Sequence, residues 1–347
     1  MTMNVMTDAG NRAALAEELA KYGVRVAQPG DKPVFTQTPA PVMQPMHWRK
    51  TDLDRLLEMI GAKLKLEKGG QRRTLRLTNP GLEVGTTPTI WCSIQYILPG
   101  EIADAHRHSA TALRFIMEGA GVDTVVDGEQ YMLNEGDLVL TPAWTWHDHE
   151  HKGDKPMVWL DVLDVSLMQL LHASFFEGSD AWRQPVAGVP DASFRQFGSG
   201  LMRPFGAAAV PGASPMLAYT REMAETALAR AAGLPADPFD DILLEYQNPS
   251  TGGPALPTIG TALQRLRPGF EGKVHRHTGS VVYYVVRGSG QSTVAEKIFA
   301  WAAGDFFAVP PWAPHSHRNA GEQEAILFQV NDIPVLKSLG YWREQPV

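Results

Sequence analysis

Two kinds of hydrophobic pattern divide this chain. Apolar residues recur at helical spacing over residues 13–22, and Thr51 is a candidate N-cap for a second, short helix. Between these segments, residues 29–45 contain too many prolines for a helix. They predict an extended arm, of the kind that often lies against another subunit.

From Arg72 onward the pattern changes to short apolar or alternating runs separated by glycine, proline, asparagine and aspartate, as over residues 89–97, 123–129 and 137–142. Such runs predict a β-rich barrel or sandwich. Residues 165–176 are predicted to form a helix that closes this module. Residues 180–212 predict a linker rich in glycine and proline, and residues 215–232 a further helical segment.

This strand region occurs twice. His106-Arg107-His108 returns as His275-Arg276-His277, His147 returns at almost the same offset as His315, and the run over 88–95 returns over 257–264. A nearly constant offset over this length indicates a duplicated structural unit. We therefore predict a helical and extended arm over residues 1–70, a first β domain over 71–178, a linker with a helix over 179–240, and a second β domain over 241–347.

Composition excludes several classes of function. A formal net charge of −7 and a pI near 5.9 would repel nucleic acid and anionic membranes. The N-terminal residues have no signal-peptide pattern, and no run approaches the ~18 apolar residues that span a bilayer. The single cysteine, Cys92, excludes a disulfide framework and multi-thiolate zinc sites. We predict a soluble, cytoplasmic protein whose metal ligands are imidazoles.

The repeated histidines predict a metal site. Alternate side chains of a strand share a face, so His106 and His108 can point into a barrel together, and turn signals place His147 after a strand that could return beside them. A lone buried histidine is more often a core residue than a ligand, but a repeated His-x-His with a third histidine reverses that expectation. Whether His275, His277 and His315 also bind metal is left open.

Arg114 is the candidate substrate clamp. Counting by twos from His108 along a regular strand puts it on the same inward face. A buried guanidinium needs a partner, and its planar fork matches a carboxylate. Two roles stay open, namely a structural ion pair with Asp161 or Glu118 and a grip on a substrate carboxylate.

The second copy lacks the residues proposed for substrate. Tyr283 stands at the position of Arg114, Gly260 at that of Trp91 and Gln329 at that of Asp161, although the histidines are kept. Residues needed only to build the barrel would be wanted in both copies. Their restriction to the first copy favours a functional role there.

Two short motifs resemble those of the cupin superfamily, through Gly100, His106, His108, Gly136, Pro142 and His147. The resemblance implies an all-β-dominated bicupin, in which two double-stranded β-helix barrels are accompanied by helical N-terminal and linker segments. Cupins usually add a glutamate ligand four or five residues after the second histidine, but these positions are Ala112 and Leu113, and Val281 and Val282 in the second copy. Three neutral imidazoles leave a divalent ion fully charged with open positions, which suits a bidentate anion plus O2 and favours Fe(II).

Longer runs resemble gentisate 1,2-dioxygenases and their salicylate and 1-hydroxy-2-naphthoate relatives, over residues 72–82, 106–108, 112–115, 126–129, 141–149 and 159–164. The similarity extends from about Trp48 to Asp332. It implies an Fe(II)-dependent, extradiol-type homotetrameric enzyme of aromatic hydrocarbon catabolism. Such an enzyme inserts both atoms of O2 between the carboxyl- and hydroxyl-bearing carbons, converting gentisate to maleylpyruvate.

The resemblance also implies roles for individual residues. The iron ligands map onto His106, His108 and His147, and the substrate contacts onto Arg72, Trp91, Ser93, Arg114, His149 and Asp161. Arg114, His149 and Asp161 are the candidate catalytic residues, and His149 is either an acid/base, an orienting group for the ring hydroxyl or a structural histidine. Either Arg72 or a neighbouring arginine contacts the substrate.

Other functions fit the sequence less well. Bicupin decarboxylases and isomerases rely on the carboxylate ligand that is missing here, and a non-enzymatic bicupin would not need Arg114 and Asp161. No helix-turn-helix pattern indicates a regulator. The choice among gentisate, salicylate and 1-hydroxy-2-naphthoate stays open, because all three carry the same chelating groups.

Overall fold

The computed structural model describes residues 5–27, 30–65, 72–199, 202 and 204–347. The helices of this part are α1 (Val5–Ala20), α2 (Lys50–Lys63), α3 (Val165–Leu170), α4 (Ala192–Phe197), α5 (Arg221–Ala231) and α6 (Ile333–Ser338). The strands as far as α5 are β1 (Met46–Trp48), β2 (Thr74–Arg76), β3 (Trp91–Ile97), β4 (Ile102–His108), β5 (Ala112–Glu118), β6 (Ala120–Val126), β7 (Glu129–Asn134), β8 (Leu138–Thr141), β9 (His147–His151), β10 (Met157–Leu163), β11 (Phe176–Gly178) and β12 (Ala218–Tyr219). After α5 come β13 (Ile242–Glu245), β14 (Gly260–Leu266), β15 (His275–His277), β16 (Val281–Arg287), β17 (Ser289–Val294), β18 (Lys297–Ala302), β19 (Phe306–Val309), β20 (His315–Arg318), β21 (Ala325–Asn331) and β22 (Glu344–Pro346).

These strands form two barrels, each built from a six-stranded and a five-stranded sheet. The first barrel has the strand orders β12-β8-β5-β10-β3-β2 and β11-β4-β9-β6-β7. The second barrel has the orders β1-β19-β16-β21-β14-β13 and β18-β17-β20-β15-β22. The two orders correspond strand for strand, so the predicted duplication and β-dominated fold are confirmed.

The four predicted helical segments differ in extent from the observed helices. The one predicted over 13–22 is α1, which begins earlier, at Val5, and ends at Ala20. The helix predicted over 165–176 ends at Leu170, because the chain turns at His172, which has a positive φ of 53°, and then forms β11 against β4. The segment predicted over 215–232 is helical only in α5, after β12. Thr51, predicted to be the N-cap of the second helix, lies inside α2, which begins at Lys50 with Arg49 as its N-cap.

The predicted arm and linker agree in part with the structure. Residues 30–45 contain neither helix nor strand, whereas Pro29, where the arm was predicted to begin, lies outside the described residues. The predicted linker contains the short helix α4. Residues 1–40 and 41–347 are two separate compact units. The division at residues 70, 178 and 240 stays a prediction.

In each barrel, one edge strand of the six-stranded sheet comes from the segment that precedes the other barrel. Strand β1 pairs with β19 of the second barrel, and β12 pairs with β8 of the first. The helices that follow these strands are anchored in the same way. The backbone N–H of Lys50 donates to Asp305 Oδ1 at 2.7 Å, and that of Arg221 donates to Asp137 Oδ1 at 2.9 Å. The strand–helix units are thus exchanged reciprocally between the barrels.

The barrels share a hydrophobic core. One cluster of buried side chains includes members of both six-stranded sheets. At its centre Phe115 of β5 stacks on Phe328 of β21, with ring centroids 4.1 Å apart and an interplanar angle of 17°, and Tyr284 lies edge-on to Phe115 at 5.9 Å. Within the described residues, no helix is long and apolar enough to cross a membrane.

We expect Phe328→Ala to lower the free energy of unfolding by about 4 kcal/mol, because the ring is fully buried and its loss leaves a cavity between the barrels. Urea unfolding followed by circular dichroism measures the change. Phe205→Ala is the matched control, since this ring is fully exposed. Equal stability of the two variants would show that the stacked pair adds nothing to the shared core.

Candidate active site

The first barrel brings three histidines together. His106 and His108 lie on β4, and His147 on β9 is paired in register with His106. The ring centroid of His147 lies 4.3 Å from that of His106 and 4.8 Å from that of His108. The potential ligand atoms of the three side chains all lie within 4.8 Å of one another. The spacing read from the sequence therefore corresponds to one cluster.

The three rings are oriented by their Nδ1 atoms. Nδ1 of His106 lies 2.9 Å from the carbonyl oxygen of Asp104, that of His108 2.8 Å from the carbonyl of Ala110, and that of His147 3.0 Å from the carbonyl of Thr145. A carbonyl oxygen only accepts, so each Nδ1 carries the proton and each Nε2 keeps a free lone pair. Nε2 of His147 is buried without a protein partner. This is the arrangement that a metal ion requires of histidine ligands.

Burial keeps these imidazoles neutral. It lowers the pKa of His106 to about 3 and the pKa of His147 well below its usual value. Deprotonated imidazoles are the form that coordinates divalent transition metals. The cluster contains no carboxylate, as expected from Ala112 and Leu113 at the positions of the usual glutamate.

A cavity of about 640 Å³ opens onto this cluster. All six of the predicted substrate contacts line it together with His106 and His108, namely Arg72, Trp91, Ser93, Arg114, His149 and Asp161. The structure therefore collects into one cavity residues that lie far apart in the chain.

Arg114 reaches this cavity by a different route from the one predicted. The alternation counted from His108 does not continue, because β4 ends at His108 and Arg114 lies on β5 in the other sheet of the barrel. Its side chain lines the same cavity as His108 because the two sheets enclose it from opposite sides.

A row of charged and polar residues crosses the six-stranded sheet beside the metal cluster. Arg76 of β2 is paired with Ser93 of β3, Ser93 with Asp161 of β10, and Asp161 with Arg114 of β5. Directly paired residues place their side chains on the same face of a sheet. We call these four residues the first cross-strand row. Its formal charge is +1, with arginines at both ends.

Arg114 and Asp161 form a buried ion pair. Nε of Arg114 lies 3.0 Å from Oδ1 of Asp161, at an angle unsuited to a hydrogen bond, and both side chains are 7% exposed. Nη1 of Arg114 donates to Thr141 Oγ1 at 2.6 Å. Burial lowers the pKa of Arg114 and raises that of Asp161, while the opposite charge of the partner counteracts both shifts. The predicted pair with Asp161 is thus present.

Glu118, the other predicted partner of Arg114, instead accepts from Lys50 Nζ at 2.6 Å. Because Arg114 still lines the cavity, its ion pair with Asp161 does not remove it from the site. Structural and substrate-binding roles can therefore coexist in this one side chain.

Arg72 lies behind the ligand His106. Its Nη1 donates to Asp104 Oδ1 at 2.7 Å and its Nη2 to the Asp104 carbonyl at 2.9 Å. Nη2 also lies 3.2 Å from Nδ1 of His106, but Nδ1 already carries a proton for the same carbonyl. Arg72 therefore fixes the backbone that orients His106, while the carboxylate of Asp104 compensates its charge.

Two polar residues that line the cavity, Arg76 and Gln95, are among those that the sequence did not predict. Arg76 lies over the ring of Trp91, with its guanidinium carbon 4.5 Å from the ring centroid, and Gln95 is buried with Nε2 lacking a partner. Both line the cavity. Alternation could have found them, because Gln95 follows Trp91 at even spacing on β3, and Arg76 on β2 lies at even spacing from Arg72, which precedes that strand.

His149 is buried beside the cluster. Its Nδ1 lies 2.7 Å from Thr124 Oγ1, its Nε2 has no protein partner, and burial lowers its pKa well below the usual value. The second barrel repeats this arrangement, with His317 Nδ1 2.8 Å from Ser292 Oγ. Unlike Arg114 and Asp161, His149 is therefore not specific to the first barrel.

Comparison with known proteins places both barrels in the cupin domain family, whose profile matches residues 93–163 and 262–331. The chain is 39% identical to 5-aminosalicylate 1,2-dioxygenase of Comamonas sp, over 96% of this chain and 89% of the relative. It is 38% identical to gentisate 1,2 dioxygenase 1 of Aquipseudomonas alcaligenes, over 80% of both chains. A crystal structure of salicylate 1,2-dioxygenase from Pseudoaminobacter salicylatoxidans with gentisate adducts matches with a TM-score of 0.87 and 34% identity, covering 96% of this chain and 93% of that one.

Proposed function

The chain belongs to the gentisate 1,2-dioxygenase family of bicupin enzymes, and we propose that its substrate is gentisate. The ring bond between the carboxyl-bearing and the hydroxyl-bearing carbon breaks. Both atoms of O2 enter the product, maleylpyruvate, so that gentisate plus O2 balances with no added reductant. Salicylate and 1-hydroxy-2-naphthoate, which carry the same carboxyl and adjacent hydroxyl, are the alternative substrates.

The observation that carries this proposal is the meeting of three guanidinium groups and the histidine cluster in one cavity. Arg72, Arg76 and Arg114 line it, and Asp161 is the one carboxylate among the described residues of its wall. Arg114 is buried, whereas Arg72 is half-buried and Arg76 is exposed at the mouth of the cavity. Cationic side chains on a cavity wall attract an anion, and the planar fork of arginine fits a carboxylate. An aromatic hydroxy acid offers that carboxylate beside a hydroxyl, which is the pair of groups that a metal ion can chelate.

The residues fit Fe(II) as the metal. His106, His108 and His147 would hold it through their Nε2 atoms, since each Nδ1 is engaged by a carbonyl. Bound there, iron supplies a Lewis acid for the carboxylate and phenolate and a site for O2. Because the three ligands are neutral and no carboxylate joins them, the anionic substrate is the group that offsets the positive charge of the ion.

The protein residues orient the substrate and manage its proton. Arg114 holds the carboxylate while Asp161 holds Arg114. Nε2 of His149 faces a substrate hydroxyl as a proton acceptor when Nδ1 donates to Thr124 Oγ1. Trp91, fixed beneath Arg76, forms the flat wall against which the ring lies. Ser93, a small residue beside Asp161 in the row, leaves room for the ring.

The substituent at ring position 5 separates two further candidates. Gentisate carries a hydroxyl there, whereas 5-aminosalicylate, the substrate in the name of the Comamonas relative, carries an amine. A 5-amino-2-hydroxybenzoate is therefore the second candidate substrate for this chain. The groups that reach the histidine cluster are the same in both molecules.

Oxygen uptake with a substrate panel tests the assignment. The protein is reconstituted with Fe(II) under anaerobic conditions and assayed with gentisate, 5-aminosalicylate, salicylate and 1-hydroxy-2-naphthoate. Benzoate and hydroquinone, which each lack one chelating group, are the negative controls. We expect the highest kcat/KM with gentisate and two labelled oxygen atoms in the product from ¹⁸O2. A higher value for another acid would reassign the substrate, and no uptake with any acid would refute a ring-cleaving function.

We also propose a cytoplasmic homotetramer. Cys92 is buried and free, and burial raises the pKa of its thiol to about 12, so the chain carries no reactive or paired cysteine among its residues. Light scattering of the purified protein measures the oligomeric state.

A further inference from the structure

The second barrel contains a histidine triad built like the first. His275 and His277 lie on β15, and His315 on β20 is paired in register with His275. The ring centroid of His315 lies 4.3 Å from that of His275 and 4.8 Å from that of His277. These separations equal those of the corresponding pairs in the first triad.

The protons of these rings are fixed in the same way. Nδ1 of His277 lies 2.9 Å from the carbonyl of Gly279, and that of His315 lies 2.9 Å from the carbonyl of Ala313. Nδ1 of His275 lies 3.0 Å from Glu344 Oε1. The Nε2 atoms of His275 and His315 are buried with no protein partner. A carboxylate behind a histidine makes it a more basic ligand than a carbonyl does.

The triads differ in the orientation of one ring. The rings of His106 and His108 are inclined by 46°, whereas those of His275 and His277 are perpendicular. Among the described residues, only the first triad has its three ligand atoms within 4.8 Å. Metal binding in the second barrel therefore includes a rotation of His275. The carboxylate that holds this ring, Glu344, has a side chain that is 45% exposed, and the ring itself stacks on Phe239 with centroids 4.9 Å apart.

The charge around the second triad is the reverse of that around the first. The cross-strand row of the second barrel pairs Glu245 with Ala262, Ala262 with Gln329, and Gln329 with Tyr283. Each of these residues lies at the repeat offset from its counterpart, so Glu245 stands in place of Arg76 and Tyr283 in place of Arg114. The formal charge of the row changes from +1 to −1.

The cavity of the second barrel is negatively charged, like its cross-strand row. It has a volume of about 620 Å³, close to that of the first cavity, and His275 and His277 line it. In the part of the chain that the structure describes, its wall carries one cationic residue, Lys337, and five carboxylates. Arg267 behind the wall compensates one of them, Asp241, which leaves Asp237, Asp240, Glu245 and Glu344. A wall of this charge attracts cations and repels a benzoate anion.

We propose that His275, His277 and His315 bind a second divalent transition-metal ion, in a cavity that excludes the aromatic acid. Three imidazoles are borderline ligands suited to Fe(II), Zn(II) and related ions. The arginines beside the first triad disfavour a cation, whereas Glu344 beside the second favours it. The second triad therefore binds a metal ion after His275 has rotated, while ring cleavage stays in the first barrel.

Metal counting in the full-length protein tests the site. Wild type, a first-triad variant (His106→Ala, His108→Ala) and a second-triad variant (His275→Ala, His315→Ala) are loaded with Fe(II) anaerobically, desalted and measured by mass spectrometry. We expect about two ions per chain in the wild type and about one in each variant. Turnover should be lost in the first-triad variant and stay within about twofold of wild type in the second.

One ion in the wild type and none in the first-triad variant would overturn the second site. This comparison needs only those two proteins, so it holds even if the second-triad variant fails to fold. Loss of turnover in a folded, tetramer-sized second-triad variant would instead show that the second barrel takes part in the chemistry. Absence of ring cleavage in all three proteins would contradict the proposed function but leave the metal count meaningful.

Two further measurements separate this site from adventitious iron. Glu344→Gln keeps a hydrogen-bond acceptor for His275 but removes the charge, and it should weaken metal binding roughly 10-fold in the first-triad variant. The control Glu296→Gln changes an exposed carboxylate outside the cavity and should have no effect. Anaerobic equilibrium dialysis with gentisate should give about one ligand per chain in the second-triad variant and none in the first. The proposal would be contradicted if Glu344→Gln and Glu296→Gln gave the same metal affinity in the first-triad variant. Binding of gentisate in the second barrel would contradict it as well.

Discussion

Replacing His106, His108 or His147 by alanine should lower kcat by at least about 10³-fold, because two imidazoles do not hold the open three-ligand geometry that the chemistry requires. The fold should persist, since each ring contributes to a polar cluster rather than to the shared apolar core. Oxygen uptake, iron content and the melting temperature are measured for each variant after Fe(II) loading.

His275→Ala is the matched control for His106→Ala. The two residues occupy equivalent positions on β15 and β4, and both are paired in register with a third histidine. We expect the control to keep wild-type turnover. Full activity in any of the three first-barrel variants, with normal folding, would remove that histidine from the proposed iron site.

Replacing Arg114 by alanine should lower kcat/KM for gentisate by about 10²-fold, or about 3 kcal/mol, with the iron content unchanged. The lost interaction is a charge-assisted contact with the substrate carboxylate in a buried site. Arg114→Lys should recover only part of the rate, because an ammonium cannot make the planar two-point contact.

The ion pair with Asp161 complicates this experiment and also allows a sharper one. Arg114→Ala leaves Asp161 buried and uncompensated, so the melting temperature should fall as well. The double variant Arg114→Ala, Asp161→Asn removes both charges. If its melting temperature recovers while kcat/KM stays low, the loss of rate does not come from instability but from the missing Arg114–Asp161 pair in the cavity wall. The single variant Asp161→Asn then separates the contribution of Asp161 from that of Arg114. If the surviving folded Arg114→Ala protein has normal kcat/KM, Arg114 serves only the scaffold and Arg72 becomes the candidate clamp.

The repeat made most of this site predictable from sequence. A His-x-His on one strand and a third histidine at a fixed distance occur in both copies, so pairing of β4 with β9 was foreseeable before any contact was known. The same periodicity predicted that Tyr283 and Gln329 replace Arg114 and Asp161. Strand pairing bears this out, because each couple is in register in its own barrel.

The local hydrophobic pattern gave wrong predictions where pairing with a strand far away in the sequence decides the backbone conformation. Residues 171–176 carry enough apolar side chains to continue α3, yet Leu171, Phe175 and Phe176 are each at least 66% exposed. These apolar side chains therefore do not form the buried face of a helix. Hydrogen bonding to β4, which lies far earlier in the chain, extends this segment instead. For the same reason alternation along one strand could not predict that Arg114 enters the cavity from the opposite sheet.

The reciprocal exchange of strand–helix units has a consequence for the history of this protein. A chain with a single copy of the module would leave one sheet edge and one buried apolar face uncovered, and a second molecule could supply both by domain swapping. The present chain has the topology of such a swapped two-fold dimer after fusion of its genes. A chain truncated to the first barrel would therefore lack the edge strand and the apolar packing that the second half supplies.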